Sequence, residues 1–141
     1  MNTAFSSEGS FIHIPKNVQV DKPIQVIYFS TGKNESVFYQ PRNLIIVGEN
    51  SQVEIIERHQ SLSENSVLVN SVSEIYCNVR SVVKHYKIQN DKTNASLIDN
   101  TFVSQERNSD YSLHTFSLGG ELTRNNLSII QNGERIESTI N

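Results

Sequence analysis

The chain has no tryptophan, one methionine and one cysteine among 141 residues. A lone Cys77 closes no internal disulfide, which fits the reducing cytoplasm. Met1-Asn-Thr-Ala-Phe-Ser-Ser-Glu lacks the basic and apolar regions of a secretory leader, and the cytoplasm is the expected location. No apolar run approaches the roughly 20 residues that cross a bilayer, so no membrane partner is expected. Lys and Arg are scattered singly, the net charge is −3 and the pI is near 5.8. That balance argues against a nucleic-acid surface. The Gly-x-x-x-x-Gly-Lys phosphate loop and the Gly-x-Ser-x-Gly nucleophile elbow are both missing, so any ATP chemistry belongs to a partner. Helix formers are scarce as well. Two Ala and eight Leu stand against 28 Ile plus Val, a balance that suits pleated strands.

What is present is repetition. The stretch from Ser109 to Glu134 reads as strand, Gly119-Gly120 corner, strand and Asn132-Gly133 turn. Ser51-Gln-Val-Glu-Ile-Ile-Glu, Arg80-Ser-Val-Val-Lys-His-Tyr and Ser109-Asp-Tyr-Ser-Leu-His-Thr superimpose, with Val53, Val82 and Tyr111 at equal spacing. A second set opens with Asn70, Asn100 and Asn126, at a similar but less even spacing. Two short strands per irregular repeat, with no helix between, predict an all-β solenoid with Val53, Val82 and Tyr111 in one inward column. Sixteen Asn suit its corners.

In chain order, Glu8-Gly-Ser turns, Phe11-Ile-His-Ile is a short strand, and 16–29 holds two strands around Asp21-Lys-Pro. Thr31-Gly-Lys-Asn-Glu is a loop, Phe38-Tyr stays extended before Pro41, and Leu44-Ile-Ile-Val is a buried strand. Strand follows from Val53, residues 58–66 read as a polar loop, and strands are expected at 67–76, 79–89, 96–104, 110–118, 121–131 and 134–140. No linker is visible, so 1–141 reads as a single β-helix core domain. Neither end carries a cap, so the chain is expected to be a portion of a longer one, or to self-associate through open β-helix ends.

The candidate ligands are Cys77, His13, His59, His85 and His114. No Cys-x-x-Cys, His-x-His or His-Glu-x-x-His spacing joins them. His85 and His114 repeat at the spacing of Val82 and Tyr111 and are expected in one column, which makes them, with Cys77, the candidates for a metal. A single free Cys is most often a small buried hydrophobe, and aligned histidines alone do not complete a coordination shell. No catalytic or cofactor-binding residue is expected. Glu54, Glu57, Asp99, Glu106 and Asp110 are spread along the chain, and Glu54 and Glu57 differ in parity, so they cannot share a strand face. A polysaccharide-binding or polysaccharide-degrading β-helix, which gathers carboxylates on one face, is the alternative.

Three segments carry a family resemblance. They are Asn2-Thr-Ala-Phe with Gly9-Ser-Phe-Ile-His-Ile-Pro-Lys-Asn-Val-Gln-Val-Asp-Lys-Pro-Ile-Gln-Val, Pro41-Arg-Asn-Leu-Ile-Ile-Val-Gly-Glu-Asn-Ser-Gln-Val-Glu-Ile-Ile-Glu, and Leu118-Gly-Gly-Glu-Leu-Thr-Arg-Asn-Asn-Leu. In this order they resemble the SufB/SufD family, scaffold subunits of the SUF system, and the last resembles SufD in particular. The resemblance implies a right-handed parallel β-helix core without the family's terminal helical regions. It implies a scaffold, not an enzyme, working with a SufB-type subunit and a SufC-type ATPase. The iron–sulfur cluster is then handled by the full complex and none is bound by this fragment alone, because the family's cluster-assembly segment would lie beyond residue 141. Arg124-Asn-Asn matches the family motif, and its plain reading is a corner whose side chains satisfy backbone groups.

Overall fold

A computed structural model describes residues 8–31 and 35–141; the Asn2-Thr-Ala-Phe segment and residues 32–34 of the expected loop lie outside them. Within the described residues every element is a strand. One sheet runs β1 (Phe11–Ile14), β4 (Arg42–Val47), β6 (Val67–Cys77), β8 (Ala95–Glu106) and β10 (Leu122–Asn132), and the short β3 (Val37–Tyr39) also pairs with β6. The other runs β2 (Ile24–Ser30), β5 (Gln52–Ser61), β7 (Val82–Gln89), β9 (Asp110–Ser117) and β11 (Glu137–Ile140). Successive coils place their strands in the two sheets by turns and every ladder is parallel, so the chain winds as a β-solenoid.

One corner of each coil is built alike. Asn17, Asn50, Arg80, Asn108 and Arg135 take positive φ of 55–61°. Asn tolerates this left-handed conformation because its short amide bonds locally; Arg does not share that advantage. Ser51, Ser81 and Ser109 follow three of these residues and are buried. Ser51 Oγ donates to the Pro15 carbonyl at 2.7 Å and Ser109 Oγ to the Glu106 carbonyl at 2.6 Å, which satisfies carbonyls that the turn frees. With corners at positions 17, 50, 80, 108 and 135, each coil uses less chain than the one before it. At the opposite corner Gly119 is obligatory, because a Cβ there would lie 2.2 Å from the Asp91 carbonyl oxygen.

The register corrects the expected column. Val53 stands against Val83, and Val83 against Tyr111, all with no exposed surface. Val82 is half-buried, turned outward between Gln52 and Asp110. The step from 53 to 83 is longer than the step from 83 to 111; taking the two as equal shifts the middle residue by one and flips its face. The second set holds only in part: Asn126 stands against Asn100 and its Nδ2 donates to Asn100 Oδ1 at 2.9 Å, but Asn70 is two residues out of step, against Ile98, and only its Oδ1 meets Asn100 Nδ2 at 3.4 Å.

Other expectations change as well. Residues 16–29 hold one strand, β2, not two: Val18 and Val20 rest against the core with a single bridge, Gln19 to Gln52. The polar stretch from Arg58 to Ser61 is strand, the second half of β5, and only 62–66 connect to β6. Val79 to Ser81, and Glu134 to Ile136, are corners, not strand.

Interior side chains divide the lumen into three zones. Val53, Ile55, Ile75, Cys77, Val83, Val103 and Tyr111 belong to the larger apolar cluster. Val67, Val69, Ala95 and Leu97 form a smaller one. Between them the inward positions are polar: Ser71 and Ser73 on β6, Asp99 and Thr101 on β8, Glu57 and His59 on β5, His85 and Lys87 on β7.

Candidate functional site

The polar zone is the chemically distinctive part of the molecule. Alternation puts Glu57 and Lys87 at inward positions, and register sets them side by side on β5 and β7. Lys87 reaches across the lumen to the other sheet, with Nζ 2.5 Å from Asp99 Oδ2, 2.6 Å from Thr101 Oγ1 and 3.4 Å from Glu57 Oε2. Glu57 accepts a hydrogen bond from Ser73 Oγ at 3.0 Å. Ser73 accepts from Asn43 Nδ2 at 3.1 Å, and Asn43 Oδ1 accepts from the Tyr28 hydroxyl at 2.7 Å and from Ser10 Oγ at 3.0 Å. On the other side, His85 Nε2 lies 3.5 Å from Glu57 Oε1, long for a hydrogen bond, and His85 Nδ1 meets the Tyr111 hydroxyl at 2.9 Å. A connected polar path thus crosses successive coils.

Burial by itself disfavours both charges of the central pair. It would raise the Glu57 carboxyl, but Lys87 and then His85 overrule it and hold that group well below the usual carboxylate range. It would lower the Lys87 ammonium, but Glu57 and Asp99 hold it above its ordinary value. Each ion therefore depends on the other, and removing one partner of such a buried pair costs about 3–5 kcal/mol. His59 is stacked on Tyr28 with ring centroids 4.7 Å apart. Burial pushes its pKa down, opposed by Glu57 and Asp99, and the Tyr28 and Tyr111 phenols are pushed up by burial.

The sequence-derived candidates do not converge. His85 is fully buried beside Leu113, whereas His114 is on the outer surface, stacked on Tyr86 at 5.0 Å and within 3.3 Å of Asn141 Nδ2. The one-residue error that misplaced Val82 also put these two histidines in one column; register pairs His114 with Tyr86. Cys77 lies between Val47 and Gln105 in the apolar cluster, its thiol pushed up to about 12 chiefly by burial. A thiol so placed is protonated and unreactive at neutral pH. His13 is exposed on β1. Among the described residues no three His, Cys, Asp or Glu side chains are grouped to hold a metal ion. No motif or spacing in the sequence groups Glu57, Lys87, Asp99 and His59. The usable signal was parity: charged residues at inward positions one coil apart.

The carboxylates separate as parity requires. Glu57 and Asp99 point into the lumen, while Glu54 faces out and pairs with Lys84 at 3.2 Å. They form no single exposed face, which disfavours the polysaccharide reading. Among the described residues no helix is long and apolar enough to cross a membrane.

The architecture defines a parallel β-solenoid with a charge-compensated polar seam in its lumen. Residues 28–141 match the sequence model of the SUF system FeS cluster assembly, SufBD core domain, and residues 1–26 match that of the SufBD protein N-terminal region. The chain belongs to the SufBD family of iron–sulfur cluster assembly. It is 31% identical over 142 residues to the iron–sulfur cluster assembly SufBD family protein slr0076 of Synechocystis, covering 95% of this chain and 31% of that protein. It is 33% identical over 128 residues to Protein ABCI7, chloroplastic, of Arabidopsis thaliana (86% and 27% of the two chains). A SufBD family protein of Staphylococcus epidermidis is 32% identical over 126 residues (87% and 26%). The chain thus spans less than a third of the length of these relatives. No solved structure matches it significantly.

Proposed function

We propose that this chain is the β-helix core of a SufD-type scaffold subunit that works with a SufB-type subunit and a SufC-type ATPase. The observation that carries the proposal is the match of residues 28–141 to the SufBD core domain, laid over a parallel solenoid. Residues 1–141 form one domain in this reading, since β1 and the 18–20 segment, which fall in the N-terminal match, join the same sheet and core as the rest. Leu118-Gly-Gly-Glu-Leu-Thr-Arg favours the SufD type. The assignment to the cytoplasm rests on the SUF system and the lone Cys77.

The subunit contributes surface and rigidity, with ATP hydrolysis in the partner and the cluster as cargo of the assembled complex. Cys77 is buried and protonated, and the histidines are divided between lumen and exterior, so this portion supplies no ligand set of its own among the described residues.

The test is co-purification of the full-length protein with its SufB- and SufC-type partners, combined with anaerobic reconstitution of residues 1–141 with iron and sulfide. A stable complex, and no stoichiometric cluster on the isolated portion, is expected. Failure to co-purify would overturn the assignment; a cluster on the portion alone would overturn the claim that it lacks ligands.

A further inference from the structure

Along one stretch of the lumen the described residues do not satisfy all of their own polar atoms. Both ring nitrogens of His59, Asp99 Oδ1, Ser71 Oγ, Ser61 Oγ and Gln89 Nε2 are buried and have no hydrogen-bond partner among the described residues. These are inward side chains with 0–5% exposure. Register sets Ser71 against Asp99 in one sheet and His59 against Gln89 in the other. The Lys87–Asp99 contact shows that the two sheets here are one long side chain apart. His59 lies within electrostatic reach of Glu57, Asp99, Lys87 and Asp91.

Each buried polar group left without a bond costs about 1–3 kcal/mol, so half a dozen of them would take a large part of an ordinary domain's stability. Their chemistry says what they bind. A neutral imidazole has one donor and one acceptor, a serine hydroxyl has both, Asp99 Oδ1 accepts and Gln89 Nε2 donates. A metal cation would leave the donors unserved, and an anion would leave the acceptors unserved and meet Asp99. Water serves both kinds. We propose that the lumen at His59 is an internal water-binding site, in which ordered waters join His59, Ser71 and Asp99 to the Glu57–Lys87 seam. A few such waters are an ordinary load, since globular proteins hold roughly one buried water per 27 residues, each making about three hydrogen bonds. The solenoid is then hydrated along its middle and dry in the two apolar clusters on either side.

A crystal structure at a resolution that shows ordered water, paired with water-oxygen relaxation dispersion in solution, tests this on the whole chain. Density is expected at about 2.7–3.2 Å from a His59 nitrogen and from Asp99 Oδ1. A long-residence water signal should accompany it and shrink in Ser71→Val and in His59→Phe. If both variants fail to fold, the wild-type density and dispersion decide alone. Side chains found turned to bond one another with no density between them would overturn the site. So would density that exchanges for rubidium or thallium, which would make the ligand a monovalent cation.

Discussion

Val83 has no exposed surface and is clamped between Val53 and Tyr111 in adjacent coils, whereas Val82 next to it faces outward. A carboxylate at the first position has no partner and no water; at the second it reaches solvent. Val83→Asp should therefore cost several kcal/mol and abolish folded protein, and Val82→Asp about 1 kcal/mol or less. Thermal melts of the two variants check the register directly: equal losses would contradict it. The same single-residue offset decides the histidines. His85 in the lumen and His114 outside are one coil plus one residue apart, which puts them on opposite faces. Sequence alone could not tell that interval from one a residue shorter, because coil length is set by how much chain each corner consumes.

At the scale of elements, the corners carry the backbone strain. Arg80 takes φ of 57° where Asn17, Asn50 and Asn108 take the same turn. Its pairing with Glu49 is exposed and contributes little. Arg80→Gly should leave the melting temperature unchanged or slightly raised, while Arg80→Val should lower stability by about 1–2 kcal/mol, since a β-branched residue is poorly tolerated there. A tolerated valine would show that the corner can be rebuilt. Strands were readable where apolar residues alternate, as in β9, and the corners were readable through Gly119-Gly120 and the Asn residues. The second half of β5 was not. Arg58-His-Gln-Ser looks like a loop by polarity, but His59 and Ser61 are the interior and Arg58 and Gln60 the exterior of a strand. A polar lumen erases the apolar-in, polar-out contrast on which strand reading depends. For that reason the seam, unlike the fold, was hidden.

For the whole molecule, acid is the expected weakness. The His59 pKa is depressed from an ordinary 6.5, so below about that pH the unfolded chain takes up a proton that the folded chain resists. Stability then falls as pH falls. The groups facing the ring are Glu57, Asp99, Lys87 and Asp91, with Tyr28 stacked on it. Glu57 adds a second stage: its contribution is full above its ordinary 4.5 and is lost as pH drops toward its depressed value. Lys87 acts at the other extreme, its contribution full below 10.5 and lost as pH rises through its raised value. Melting temperature should decline from about pH 6.5 downward and more steeply below about 4.5. His59→Gln should flatten the first stage and leave the second. A wild-type profile level from about pH 7.5 to about pH 5 would contradict the role given to His59.

The shortening of successive coils, plain in the corner positions 17, 50, 80, 108 and 135, bears on how the chain avoids misassembly. A solenoid of identical turns can zip up one turn out of step at almost no penalty, since every turn presents the same ladder to every other. Here a turn docked on the wrong neighbour has surplus chain to expel, and it sets the Lys87 ammonium against a level lacking the Glu57 and Asp99 carboxylates. The unequal circumferences number the turns, so the order of stacking is written into their lengths and the buried ions penalise any miscount.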